Sequence, residues 1–466
     1  MKKVALHTLG CKLNYAETST IGRQFVERGF EVNEFDQPSD VYVLNTCSVT
    51  ERADKECRQI IRRLLRQTPD AYVIVTGCYA QLRPDDIASI DGVDLVLGAK
   101  EKFNIFEHAG TFRKHAVSQV LVSCIDEVTD FHSAYSAEVG GRTRAFLKVQ
   151  DGCDFNCAFC TIPLARGASR SQTIDSILGQ AHEIVAQGYK EIVLTGVNVG
   201  DYGRAGGKTF LELLRALELV DGVERIRISS IEPNLLTYEL VDFVLSSEKF
   251  CNHFHIPLQS GSDTILKKMR RRYTTGDYRN LIEYIRMKDA GAGIGADVIT
   301  GFHGETDSLF EETHRFLFDL PVSYLHVFTY SERPETPAIL FDDPVESRLR
   351  FERSEILRLL GRKKRSAFHS SFIGTTLPVL YESSTDSCRL SGLTTNYLRV
   401  ETPSDTLRKN QICDTRISAA NDEFCVGTLL EPLSKTFLNT YQKENISTAS
   451  ATMFNPEIIS LPLESI

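Results

Sequence analysis

Cys153, Cys157 and Cys160 stand in a C-x3-C-x2-C array, with Phe159 just before the last cysteine. Thiolates are soft ligands that suit zinc or iron–sulfur clusters. A structural zinc site closes with four ligands. Here three are local, and the nearest other cysteines are Cys124 and Cys251. A zinc site would have to recruit a remote ligand, whereas a cubane cluster held by three cysteines keeps one iron open. A zinc knuckle short of one ligand, or three independently buried cysteines, are the plainer readings of the same spacing.

A second set is more dispersed. Cys11, Cys47 and Cys78 each follow a short apolar stretch that reads as a strand, at residues 3–9, 41–45 and 72–76. Helical patterns separate these strands, at 15–28 and roughly 52–67, and a fourth strand is expected at 93–97. Strands alternating with helices argue for a doubly wound parallel sheet. Ligands of such sheets bind outside the carboxyl ends of the strands. Three thiols far apart in sequence can therefore converge there, as a second three-cysteine site with an open position. Ordinary burial of cysteines at strand ends is the alternative, and Cys57, inside the second helix, reads as structural.

The elements that must position the first array come next. A polar hinge at 132–139 and Gly140-Gly141 precede an alternating strand at 143–150, which delivers Cys153. Further strands are expected at 192–194, 225–229, 253–256, 295–299 and 324–329, with helices between them. Six such units suggest a partial (β/α)6 barrel whose active site lies where the strands' carboxyl ends meet. Beyond residue 369 the pattern changes to short strands and turns, at 376–381, 388–390, 398–400, 413–417 and 425–429, which reads as a small antiparallel β-barrel. The fold class is α/β with this appended barrel. The expected domains are 1–120, 139–368 and 369–431, followed by an extension at 432–466 whose polar composition is compatible with disorder.

Composition bounds the rest. A chain of 466 residues holds roughly two to four domains. Its 42% hydrophobic and 25% charged content is that of a soluble globular protein. No apolar run approaches the roughly 18 residues of a membrane span, and the N-terminus lacks a signal peptide's apolar core. A cytoplasmic location is the default expectation, and twelve cysteines there point to metal or redox chemistry rather than disulfides. A net charge of −9 does not advertise a nucleic-acid binder, although binding needs only a basic patch.

The Cys153–Cys160 stretch resembles the radical S-adenosylmethionine (SAM) superfamily motif. Thr8-Leu9-Gly10-Cys11-Lys12-Leu13-Asn14, Asn45-Thr46-Cys47-Ser48-Val49-Thr50 and Val75-Thr76-Gly77-Cys78-Tyr79-Ala80-Gln81 are similar to the N-terminal motifs of the methylthiotransferases within it. The resemblance covers roughly residues 1–430. It implies two 4Fe–4S clusters. One, on Cys153, Cys157 and Cys160, binds the amino and carboxylate groups of SAM and cleaves it to a 5′-deoxyadenosyl radical. The other, on Cys11, Cys47 and Cys78, handles the sulfur that is methylated by a second SAM and inserted at C2 of an adenine. Such a C–H bond needs a radical, because no general base of ordinary pKa removes that proton.

The resemblance also suggests SAM contacts at Gly196, Asn198, Ser229, Glu232 and Gln259, each just past a strand. Turn chemistry is the bland alternative for each. His303 and Leu164 depart from the family pattern, which usually has proline and an aromatic residue there. The run Lys267, Lys268, Arg270, Arg271 and Arg272 is the best candidate for RNA phosphate contacts, with a solvated helix end as alternative; Arg362-Lys363-Lys364-Arg365 is a second candidate. The C-terminal barrel is placed like the RNA-binding TRAM domain, yet acids outnumber bases between residues 371 and 431.

Lys12-Leu13-Asn14 looks most like the branch that acts on N6-threonylcarbamoyladenosine at tRNA position 37, in the anticodon loop. The isopentenyladenosine branch usually reads Gln-Met-Asn there. A third branch modifies a ribosomal-protein aspartate, and a non-catalytic iron–sulfur protein is a further alternative. The implied partners are tRNA, an electron donor such as flavodoxin or ferredoxin, and a sulfur source, with no membrane.

Overall fold

A computed structural model describes residues 1–137, 143–382, 389–403 and 408–430. The expected domain boundary at 139, Gly140-Gly141, Cys388 and the 432–466 extension lie outside them.

The first unit is a six-stranded parallel sheet. Its strands are β1 (Lys3–Thr8), β2 (Glu31–Asn33), β3 (Val41–Thr46), β4 (Tyr72–Gly77), β5 (Leu95–Leu97) and β6 (Gln119–Leu121), in the order β2-β1-β3-β4-β5-β6. β2 and β6, three residues each, are too short to read from alternation. Val41, Val43, Tyr72 and Ile74 pack on one face with Ile21 and Phe25 of helix α1 (Lys12–Glu27). Tyr42, Leu44, Val73 and Val75 pack on the other with Cys57, Ile60, Ile61 and Leu64 of α2 (Glu51–Gln67). Strands buried on both faces are what a doubly wound sheet requires.

The second unit holds six parallel strands in two halves. β7 (Arg144–Lys148), β10 (Glu191–Thr195) and β11 (Arg225–Ile228) form one; β12 (His253–His255), β13 (Gly293–Thr300) and β14 (Tyr324–Thr329) form the other. A short hairpin, β8 (Gln150–Asp151) with β9 (Arg170–Ser171), brackets the cysteine loop. The halves meet at a parallel bridge between Ile226 and Phe250. Alternate residues (Leu147, Leu194, Ile226, Phe254, Ile294) pack outward against the helices. The intervening ones face the lumen. The expected hinge at 132–139 is corrected in part: residues 134–136 lie along β7, with Lys148 N–H donating to Ala134 O at 2.9 Å and Ser136 N–H to Phe146 O at 2.9 Å.

The third unit is a closed barrel of β15 (Thr376–Tyr381), β16 (Arg389–Thr394), β17 (Arg399–Pro403), β19 (Cys425–Leu429) and β18 (Ile412–Ala420), in that spatial order; the antiparallel expectation is corrected at one seam, where β17 and β19 pair in parallel because β19 follows β18 and returns beside β17 to close the barrel. Its β16–β17 turn plugs the floor of the larger barrel. Arg225 donates to Leu393 O (3.0 Å) and Pro378 O (2.7 Å), and Arg227 to Thr394 O (2.9 Å) and Thr395 O (2.8 Å). Among the described residues no helix is long and apolar enough to cross a membrane.

Candidate active site

The loop carrying Cys153, Cys157 and Cys160 hangs from β8 at the carboxyl end of the barrel. Cys153 N–H donates to Gly167 O at 3.0 Å and Ala158 N–H to Met269 O at 3.0 Å, so both ends are tied down. Gly152 has φ +70°, and a Cβ there would stand 2.0 Å from Ala168 O, so only glycine fits. Each sulfur accepts one hydrogen bond: from Phe155 N–H to Cys153 (3.4 Å), from Ile162 N–H to Cys160 (3.5 Å) and from the Arg271 guanidinium to Cys157 (3.2 Å). Burial, aided by the neighbouring thiols of the set, pushes Cys153 up to about 11 and Cys160 up to about 12. Thiols that resist ionisation alone are the donor set a cationic cluster would deprotonate.

Arg271 corrects the reading of the basic run as one solvent-facing patch. Its side chain is 3% exposed and pairs with Glu232, while Nε donates to Tyr273 Oη at 3.0 Å. Lys267, Lys268, Arg270 and Arg272 remain exposed. Arg272 lies 3.9 Å over the Phe155 ring, at the rim of the cysteine loop. The second basic run lies inside the helix Ser347–Ser370, where Lys364 donates to Phe318 O and Leu320 O and Arg365 to Asp422 O, so these two cations are structural.

Cys11, Cys47 and Cys78 follow β1, β3 and β4, and Cys78 opens the short helix α3 (Cys78–Leu82). The three lie together at the carboxyl ends of adjacent strands, close enough that Cys11 acts electrostatically on both Cys47 and Cys78. Burial is the largest influence on Cys47, raising it to about 12. Gly10 (φ +100°) and Gly77 (φ +99°) permit this crowding: a Cβ on Gly10 would meet Cys47 Cβ at 2.6 Å, and one on Gly77 would meet Thr46 O at 2.4 Å. Two buried asparagines that sequence reasoning passed over gather the loops. Asn14 Nδ2 donates to Leu9 O (2.9 Å) and Thr46 O (3.0 Å), and Asn45 Nδ2 donates to Asn14 O (3.0 Å). Among the described residues no three Cys, His, Asp or Glu side chains close round a single metal ion. A multi-iron cluster asks for more widely spread thiolates than a tetrahedral ion does.

Between the two sets lies a buried ionic network, also missed in sequence. Arg166 follows the Cys160 loop and donates to Glu17 (3.1 Å, twice), Asp151 Oδ1 (2.8 Å) and Asn14 Oδ1 (2.5 Å). Lys102 and Lys148 also reach Glu17, at 2.7 and 3.0 Å. Asn14 and Arg166 thus join the loops of both cysteine sets. No local pattern signals this: the partners come from three distant segments.

The residues proposed to meet SAM border the barrel mouth. Gly196 packs against Gln150, where a Cβ would stand 2.9 Å from Oε1, and Asn198 N–H donates to that same Oε1 at 2.8 Å. The Asn198 side chain is buried, yet its Oδ1 and Nδ2 have no hydrogen-bond partner. Buried polar atoms are normally paired, so this orphan amide fits a site that a polar ligand completes. Gln259 holds φ +72° and pairs its backbone with β13: Gln259 N–H donates to Asp297 O (2.8 Å) and Ile299 N–H to Gln259 O (2.9 Å). Ser229 is half-buried, its N–H donating to Leu194 O at 3.1 Å, and Glu232 is engaged by Arg271. His303 is buried against Tyr330 and Phe341, with neither ring nitrogen hydrogen-bonded among the described residues.

Residues 3–98 match the model of an uncharacterised protein family, UPF0004, and residues 147–317 that of the radical SAM superfamily. The threonylcarbamoyladenosine tRNA methylthiotransferase MtaB of Bacillus subtilis (strain 168) is 40% identical over 411 residues, spanning 86% of this chain and 90% of that protein. The chain belongs to the radical SAM methylthiotransferase family. The MtaB protein of Aquifex aeolicus (strain VF5) is 39% identical over 402 residues, 86% of this methylthiotransferase and 96% of its relative. A tRNA-2-methylthio-N(6)-dimethylallyladenosine synthase of Methylobacillus flagellatus is 32% identical, over 92% of the chain and 99% of that protein. Among solved structures, the radical SAM methyltransferase TsrM of Kitasatospora setae, with tryptophan and aza-SAM bound, aligns with a TM-score of 0.53 at 14% identity, covering 72% of this chain and 75% of that one. That likeness concerns the fold alone.

Proposed function

We propose that this methylthiotransferase converts N6-threonylcarbamoyladenosine at position 37 of tRNA to its 2-methylthio derivative. Two 4Fe–4S clusters would be held by Cys153, Cys157 and Cys160 and by Cys11, Cys47 and Cys78. When bound, these groups supply the electron that cleaves SAM to a hydrogen-abstracting radical and the sulfur that enters C2. The chain's own residues do the rest. Arg271 orients the Cys157 sulfur and Glu232 together. Asn198 offers an acceptor to the ammonium and a donor to the carboxylate of SAM. The N-terminal sheet covers the barrel mouth, with Tyr15 against Phe146 and Asp54 paired to Arg333 at 2.6 Å, and so limits water around a reactive intermediate.

The observation that carries this reading is the pair of three-cysteine sets at strand carboxyl ends, joined through Arg166 and Asn14. The named activities of relatives 34–40% identical support the substrate. A flavodoxin- or ferredoxin-like donor, a sulfur source and a cytoplasmic setting complete the proposal.

The test is mass spectrometry of nucleosides from tRNA of cells with and without the gene. Selective loss of the 2-methylthio derivative of threonylcarbamoyladenosine is expected; loss of the isopentenyl counterpart would overturn the substrate, and no change in either would overturn the reaction. In purified protein, Cys157→Ala is expected to abolish SAM cleavage and Cys47→Ala to spare cleavage while stopping methylthiolation. Retained cleavage in the first, or continued product in the second, would overturn the cluster assignments.

A further inference from the structure

The interior of a parallel barrel is ordinarily filled by the barrel's own side chains. Here the end at the strands' amino termini is filled from another domain. Ile226, Phe254 and Leu325 pack outward into the core, so their neighbours Arg227, His253 and Tyr324 face the lumen. The Tyr397 ring, from the turn between β16 and β17, reaches all three. It stacks on His253 with centroids 4.4 Å apart, lies 6.1 Å from the Tyr324 ring, and has the Arg227 guanidinium 5.2 Å from its centroid.

The strands are shaped to admit this turn. Glycine weakens a strand and marks a close approach of other groups, and β13 carries two, Gly293 and Gly295. A Cβ on Gly293 would stand 2.1 Å from Asn396 O, and one on Gly295 would stand 2.2 Å from the Tyr324 ring. Asn396 Nδ2 donates to Gly291 O at 2.8 Å, beside the carbonyls that Arg225 and Arg227 already hold. The turn is braced within itself, Thr394 N–H donating to Leu398 O (3.1 Å) and Leu398 N–H to Thr394 Oγ1 (2.9 Å). Tyr397 holds φ +71°, a conformation that a bulky residue keeps only where its surroundings impose it.

The next layer of the lumen rests on this one. His253 Nε2 meets Tyr324 Oη at 2.7 Å, and the His326 ring lies 5.2 Å from those of Tyr324 and His255. His255 Nε2 in turn meets Asp297 Oδ1 at 2.8 Å. His255 and His326 stand two residues nearer the strands' carboxyl ends than His253 and Tyr324, on the side of the two cysteine sets. Removing the Tyr397 ring would leave a hole lined by an imidazole, a phenol and a guanidinium, polar enough to fill with water. A chamber for a reactive intermediate works by excluding such water and by holding the target atom in place.

We infer that the C-terminal barrel is a working part of the reaction chamber: Tyr397 is a positioning residue that closes the lumen from beneath and holds the layer of His255, Asp297 and His326 in place for the target base. This rests on the methylthiotransferase reading above, in which each hydrogen taken from the base gives one 5′-deoxyadenosine and one methylthiolated product. The test uses the full chain with both clusters, SAM and an anticodon stem-loop bearing threonylcarbamoyladenosine, and counts 5′-deoxyadenosine against product. In a loosened chamber the radical takes its hydrogen atom from a C–H group of protein or buffer instead, giving 5′-deoxyadenosine and no product. Glycine accepts φ +71° without strain, so Tyr397→Gly removes the ring and spares the turn. Its ratio of 5′-deoxyadenosine to product is expected to rise at least about threefold over wild type, while Tyr397→Phe, which keeps the stack, holds the wild-type ratio. In the chain without clusters, amide hydrogen exchange of residues 253–255 is expected to quicken in Tyr397→Gly and not in Tyr397→Phe. An unchanged ratio in Tyr397→Gly overturns the inference, and so does a rise in KM for the RNA alone, which would make the domain an RNA binder only. A Tyr397→Gly enzyme that cleaves SAM and yields no product shows the expected defect at its limit. One that does neither overturns the inference, which confines the loss to coupling. Wild type that yields no product on this RNA overturns the substrate reading instead, before any variant is made.

Discussion

Arg166 directs two guanidinium N–H donors at the two carboxylate oxygens of Glu17, 149 positions earlier, each at 3.1 Å. The pair is fully enclosed, at 3% and 0% side-chain exposure, so neither charge is solvated by water. Glu17 belongs to the sheet domain and Arg166 to the barrel, and the contact fixes one cysteine set relative to the other. Removing one partner of a buried pair leaves an uncompensated charge and costs about 3–5 kcal/mol. Glu17→Gln is expected to lower the unfolding free energy by about that much, measured by denaturant titration. Arg166→Met in the same background should recover part of the loss, because it removes one of the stranded cations. A single variant as stable as wild type would sink the account.

The same network makes the domain contact sensitive to acid. Burial alone would raise the Glu17 carboxyl, but Arg166, Lys102 and Lys148 outweigh it and hold the group well below its ordinary 4.5. As pH falls below about 4.5 the unfolded chain takes up the proton first, so the stabilisation present above that pH is lost progressively. Calorimetry from pH 6 down to about 2.5 should show Tm falling more steeply below about pH 4.5 in wild type than in Glu17→Gln. Parallel slopes would mean that Glu17 is not the group being titrated.

Asn198 offers a cleaner test of ligand binding. Its amide is buried without a partner, so truncation gives up little in the free protein. Asn198→Ala is expected to leave Tm nearly unchanged while raising the KM for SAM about tenfold, the loss of roughly one charge-assisted hydrogen bond. Unaltered SAM binding, read by equilibrium dialysis, would assign the residue to packing.

The exposed cations of the Lys267–Arg272 run should act through phosphate charge. Replacing Lys267, Lys268 and Arg270 with Ser together is expected to weaken tRNA binding and to flatten its salt dependence by about two units of log–log slope. The effect should be uniform across tRNA sequences, since such contacts position rather than specify. An unchanged slope would move the RNA contact elsewhere on the surface.

The six cysteines and their places after strands were legible from the chain alone. Apolar alternation, strand–turn glycines and ligand spacing are local properties, and Gly10, Gly77 and Gly152 announce tight turns wherever the strands finally pack. The five-stranded barrel and the barrel-like order of parallel strands were legible for the same reason. Tertiary structure alone decided the destinations of charged side chains. Arg270 and Arg271 are neighbours, yet Arg270 at φ +60° stays in solvent while Arg271 turns inward to Glu232 and Cys157. Glu17, Lys102, Lys148 and Arg166 look like ordinary surface charges in sequence, yet all four are enclosed. Whether a charge is solvated or enclosed depends on which distant face closes over it. That is set by how the domains pack, and no window of sequence contains it.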